Sequence, residues 1–193
     1  MVRQSTALAL DPSRTAIVLV DLQNGVVGMP VAPLSGDQVV AAAATLARHF
    51  RGLGAPVVTV TVAYPAGEAP PVDAPLPPMP ATMPPGWDEV VRGLAEPQTD
   101  IRVTKSGWGA FAGTGLAETL RERGVDTVVV AGIATNFGVE QTVREAVAHG
   151  FAVLVASDAT SSVSAEHHEF ALTRVLPMIS RIRTVDELVK ASA

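Results

Sequence analysis

Residues 128–142 read VVVAGIATNFGVEQT. The β-branched run that ends at Gly132 is a strand, GIATNFG is a turn of small residues, and GVEQTVREAVAHG (138–150) has helical spacing and a glycine stop. A strand feeding directly into a helix is half of a parallel crossover, so the fold depends on whether the unit repeats. It does. Upstream stand the helix GTGLAETLRERG (113–124), the strand IRVTK (101–105), the strand PVVTVTV (56–62), the helix DQVVAAAATLARHFRGLG (37–54) with Asp37 as its cap, and the strand AIVLV (16–20). Downstream, FAVLVA (151–156) is a strand, a last pair of helices brackets MISRIR (178–183), and TVDE (184–187) fits a capping box. WDEVVRGLA (87–95) reads as a short helix. Strands that alternate with helices specify a parallel sheet covered on both faces.

At 193 residues the chain reads as one domain, residues 1–193. A formal charge of −5 and the lack of a basic cluster argue against nucleic acid or an anionic membrane as partner, and leave small or cationic partners. No segment approaches the ~18 consecutive apolar residues of a membrane helix, and MVRQSTALALDPSR is too short and broken for a secretory signal, so a cytoplasmic protein is expected. Cysteine is absent, which removes disulfides, thiolate metal sites and thiol nucleophiles together. Nine of the fifteen prolines fall in 63–86, a stretch that can form neither helix nor sheet interior and reads as a covering arm, an interface segment or a tolerated insertion.

In an open sheet of this kind ligands bind beyond the carboxyl ends of the strands. Three features fall there. Asp21 closes the first strand in VLVDLQNG, Lys105 closes the third in RVTKSGWGAF, and the GIATNFG turn follows the fourth. Among fourteen basic residues only Lys105 and Lys190 are lysines, so position 105 is one where a compact ammonium stands in a chain that otherwise uses arginine.

The order VDLQN, then K–GWGAF–GT–L, then GIATNFGVEQT–REA–HGF, then ASDA resembles the isochorismatase-like hydrolases, or cysteine hydrolase superfamily, over roughly residues 14–190. The resemblance implies an α/β three-layer Rossmann-like sandwich with a six-stranded parallel sheet, assembly as a homo-oligomer (dimer or tetramer), and a cis peptide between Ile133 and Ala134. It also implies an Asp–Lys–Cys triad, whose first two members map onto Asp21 and Lys105. The third falls on Gly138, which has no side chain to attack a substrate. The family's isochorismatase branch resembles this chain in having glycine there, and its chemistry, cleavage of a vinyl ether with release of pyruvate, needs no covalent intermediate.

Vinyl ethers hydrolyse by protonation of the enol carbon, capture of the oxocarbenium ion by water, and collapse of the hemiketal. A general acid is required. A carboxyl behind AIVLV is partly desolvated, which favours its neutral form, while a neighbouring ammonium favours the carboxylate; the sequence does not rank the two. Asp21 is the expected proton donor, Lys105 orients it or holds a substrate carboxylate, and Gly138 leaves room for a ring or water near a helix N-terminus. Gln23, Trp108, Ile133, Ala134, Thr135, Asn136 and Phe137 are the expected substrate-binding residues. Thr135 and Asn136 are equally readable as helix caps, and Phe111 as core.

No metal and no cofactor is expected. Nicotinamidase-like members of the family carry an Asp-x-His site after the second strand, where this chain reads TVTVAYPAGEAPP. His49, His149, His167 and His168 all lie on expected helices, and the adjacent pair faces different sides. GMPVAPLSG and GTGLAETL fit neither a phosphate loop nor a dinucleotide fingerprint. Two other readings stand beside the vinyl ether: hydrolysis of an amide, imide or lactone by water that Asp21 activates as a base, and a catalytically silent ligand-binding relative.

Overall fold

The computed structural model describes residues 8–63, 72–73 and 83–192. Most of the proline-rich arm read at 63–86 lies outside the described residues. Six strands form one sheet: Thr15–Val20 (β1), Val57–Val62 (β2), Ile101–Lys105 (β3), Thr127–Ile133 (β4), Ala152–Ser161 (β5) and Arg181–Arg183 (β6). Every pairing is parallel, and the order is β3-β2-β1-β4-β5-β6. The chain therefore winds outward from β1 to β3, returns to the centre, and winds outward the other way. The direction reverses between β1 and β4, which opens a crevice at their carboxyl ends.

β1 is buried at all six positions because both of its faces are covered. Val18, Val20, Val58, Val60, Val128 and Val130 point into one core with Leu116–Glu122 (α3) and Glu140–Ala148 (α4). Ile17, Leu19, Val57, Val129 and Ala131 point into the other, with Gly36–Gly52 (α2) and Val185–Ala191 (α6). Two aliphatic cores on one sheet, each large side chain contributing about 1.5–3 kcal/mol on full burial, hold the strand ends in fixed register.

The elements differ from the sequence expectations at their edges. α2 is capped by Ser35 in a capping box with Gln38, and Asp37 lies in its first turn instead. α3 starts later than 113 because Gly113 and Gly115 adopt φ of 71° and 72°. β5 runs on to Ser161, past a register shift opposite Val130 and Gly132. β6 is three residues inside the MISRIR segment. The short helix Asn24–Val27 (α1) was not read from sequence.

Residues 87–95 form turns, not a helix. Their backbone is used elsewhere: Glu89 O and Trp87 O accept from Asn24 N and Gly25 N, Val91 N donates to Leu22 O, and Val90 bridges Gln23. The segment is thereby stitched to the residues that follow Asp21. Thr184 and Glu187 do form the capping box that opens α6.

Candidate active site

Asp21 leaves β1 with φ 54°, the left-handed region that asparagine and aspartate enter more readily than other side chains. Its N–H donates to Val60 O of β2, and its side chain enters the crevice. Lys105, at the end of β3, reaches it across the intervening strand: Nζ stands 2.9 Å from Asp21 Oδ2. Both residues are buried. Lys105 Nζ also donates to Gly107 O at 3.1 Å and Trp108 O at 2.9 Å. An ammonium has three donors, and all three are used within the chain. Holding a substrate carboxylate would require breaking one of these bonds.

The two oxygens of Asp21 are unequal. Oδ2 is paired with Lys105, whereas Oδ1 is buried and has no hydrogen-bond partner among the described residues. Burial pushes the Asp21 carboxyl up to about 6, against the opposing pull of the Lys105 ammonium. Desolvation is the larger effect, which answers the question the sequence left open.

The turn after β4 completes the site. Gly132 has φ 131°, and a Cβ there would lie 2.0 Å from Val20 O, so only glycine lets β4 pass β1 at this point. A cis peptide joins Ile133 and Ala134. Thr135–Val139 then forms a widened, π-type first turn before α4. Gly138 lies in it with an ordinary φ, yet a Cβ there would stand 3.0 Å from Asp21 Oδ2, 3.2 Å from Val20 Cγ1 and 3.4 Å from Trp108 O. Glycine at 138 is thus a matter of space beside the carboxyl rather than of backbone conformation.

The other expected binding residues divide. Trp108, half exposed, stacks on Phe137 with ring centroids 5.0 Å apart, an aromatic pair at the edge of the site. Gln23 is fully buried; its Oε1 accepts from Val62 N at 2.7 Å and its Nε2 donates to Val62 O at 3.3 Å. Its amide braces β2 and is not free for substrate. Ile133 and Ala134 turn their side chains to the core on the α2 side. Thr135 and Asn136 are not caps, since Ala134 occupies that position. Thr135 Oγ1 bonds Ser161 O and His168 Nδ1, and Asn136 Oδ1 accepts a short hydrogen bond from Ser162 Oγ. Phe111 is core, against Phe151.

Residues the sequence did not flag hold the Lys105 acceptors in place. Glu145 Oε2 of α4 accepts from Phe111 N and Ala112 N, and Thr142 Oγ1 accepts from Ala110 N while donating to Gly138 O. A Cβ on Gly109 would overlap the Glu145 carboxylate, 2.1 Å from Oε2. That glycine, in GWGAF, was the available signal. Through Thr142 and Glu145 one helix fixes both the turn beside Asp21 and the loop beneath Lys105.

No group of three histidine, aspartate or glutamate side chains placed to hold a metal ion occurs among the described residues. The segment between β2 and β3 contains no histidine. Cavities of about 480 Å³, against β2 and β3, and about 500 Å³, beside α1, include none of Asp21, Lys105 or the 133–138 turn.

The chain is 42% identical over 188 residues to the isochorismatase family protein YecD of Escherichia coli O157:H7, covering 95% of this chain and 99% of that protein. An isochorismatase family protein from Burkholderia thailandensis has a solved structure that superposes with a TM-score of 0.87 at 41% identity, over 96% of this chain and 98% of that one. The ureidoacrylate amidohydrolase RutB of Variovorax paradoxus is 34% identical over 110 residues, 56% of this chain and 44% of that protein. The isochorismatase domain itself matches residues 15–187, and the chain belongs to the isochorismatase family of hydrolases.

Proposed function

We propose that this protein hydrolyses a small vinyl ether of the isochorismate type, with Asp21 as general acid and water as the nucleophile. The observation that carries the reading is the asymmetry of the Asp21 carboxyl beside Gly138. Oδ2 is held by Lys105, and a proton on Oδ1, which has no hydrogen-bond partner among the described residues, places a free donor in the site. That proton passes to the enol carbon. Water adds to the resulting oxocarbenium ion and gives its proton to the Asp21 carboxylate, and the hemiketal collapses to ketone and alcohol. The chain has no cysteine, and Gly138 offers no nucleophile of its own, so the attacking oxygen is solvent.

The test is incubation with isochorismate and coupled detection of pyruvate. Pyruvate release that disappears in Asp21→Asn supports the reading; none at high enzyme loading excludes this substrate.

A second reading is favoured by the likeness to an amidohydrolase and by the saturation of Lys105, which leaves it no proton for a substrate carboxylate. Here the Asp21 carboxylate is a base that activates water against an uncharged amide, imide or lactone. The pH profile separates the two, because activity falls above the carboxyl pKa for an acid and rises to a plateau for a base.

A further inference from the structure

His168 lies outside the residues so far given a role. It sits in Ala165–Phe170 (α5), is buried, and carries its ring to 2.8 Å from Thr135 Oγ1 through Nδ1. Thr135 is itself fully buried, and its Oγ1 is 3.0 Å from Ser161 O. A hydroxyl has one proton and a carbonyl has none. The Thr135 proton is therefore committed to Ser161 O, since otherwise two acceptors would face each other there. It follows that the bond to His168 is donated by the ring. Burial lowers the His168 pKa and so favours the neutral ring, with its proton on Nδ1 and a lone pair on Nε2.

We propose that His168 is a positioning residue for the site: its Nδ1–H, through Thr135, anchors the turn that sets Gly138 and Phe137 against Asp21 and Trp108. The chain runs His168 Nδ1–H to Thr135 Oγ1–H to Ser161 O. It ties three elements, α5, the turn after β4 and the end of β5, at the first residue of that turn. Three residues further on, Gly138 leaves only 3.0 Å between a would-be Cβ and Asp21 Oδ2, so a small shift of the turn changes the space in which a substrate meets the carboxyl. The proposal rests on the reading of Asp21 and Gly138 as the reaction centre, but its direct test does not require turnover.

The ring tautomer is read from long-range ¹H–¹⁵N spectra of protein labelled at histidine, at pH 7. The expected result is a protonated Nδ1 and an unprotonated Nε2 for His168, with that preference lost in Thr135→Val. The indole N–H signal of Trp108, stacked on Phe137 of the same turn, is expected to move in His168→Ala and His168→Gln. It should stay in place in His168→Asn, whose amide NH₂ falls near the Nδ1 position. With a turned-over substrate, kcat drops on the order of tenfold in the Ala and Gln variants at nearly constant KM, and Asn restores most of it. A proton on Nε2, or a Trp108 signal that responds alike to Asn and Ala, overturns the proposal. If no substrate is turned over, the spectra still decide it, and the reading of the reaction fails separately.

Discussion

A β-carbon on residue 138 would stand 3.0 Å from Asp21 Oδ2, closer than ordinary packing allows. Gly138 has no positive φ that demands glycine, so its missing side chain serves the carboxyl it faces. Gly138→Ala should fold, with a loss of about 1 kcal/mol from crowding Asp21 and Val20, while kcat falls more than tenfold as the space beside Oδ2 fills. Urea denaturation and turnover, measured on the same preparation, check the pair of outcomes.

Removing the proton carrier is more drastic. Asp21→Asn keeps the shape but cannot transfer a proton, and kcat is expected to fall by about 10²–10⁴. Asp21→Glu moves the carboxyl toward the Gly138 turn and should retain little more. Near-normal activity in Asp21→Asn would show that another group moves the proton.

The pH profile carries a definite sign. With the Asp21 carboxyl pushed up to about 6, the acid mechanism loses about tenfold in kcat/KM per pH unit above that value. Stability has its own dependence. The folded pKa is raised from the ordinary value of 3.8, so the folded state is unburdened below 3.8 and loses stability as pH rises through 6. Relative to Asp21→Asn, the wild type should therefore lose thermal stability between pH 4 and 7. Melting temperatures of the two proteins across that range test it.

Lys105 has no slack in its bonding. Lys105→Met leaves a buried carboxylate unpaired, with an expected cost of about 3–5 kcal/mol at pH 8 that diminishes in acid as Asp21 protonates. The surviving activity should shift its pH limb upward, since the ammonium no longer favours the charged form. Lys105→Arg keeps the charge but not the three-bond geometry, and should lose kcat on the order of a hundredfold.

The clamp on the loop predicts an effect at a distance. Glu145→Gln weakens the bonds to Phe111 N and Ala112 N by about 1–3 kcal/mol. Amide exchange at Phe111 and Ala112 should quicken, with kcat falling because Gly107 O and Trp108 O no longer hold Lys105 as firmly. Unchanged exchange at those amides would show that the loop is held by other contacts.

The positions of Asp21 and Lys105 at the carboxyl ends of strands were legible because the strand pattern is local. So was the space at Gly138, once the turn before α4 was recognised. What escaped depends on pairings distant in sequence. The 87–95 segment has helical composition, but its carbonyls are claimed by Asn24 and Gly25, which overrides propensity. Gln23 is a polar residue beside the site whose amide is spent on Val62, 39 positions away. The Glu145 clamp and the His168 contact join residues more than 30 apart, and no periodicity marks them. β6 is too short to announce itself.

The reversal of strand order has a consequence for how the chain can be divided. β1 pairs with β4 along its whole length, Thr15↔Thr127 through Val20↔Gly132, so a break after α3 would leave Asp21 and Lys105 in one fragment and their glycine neighbour in the other. Each fragment would also expose the edge of a central, largely apolar strand, a template for self-association rather than an independent module. Reassembly of such halves would return the glycine turn to its place beside Asp21 in one event, which makes co-expressed fragments of this chain a natural split reporter.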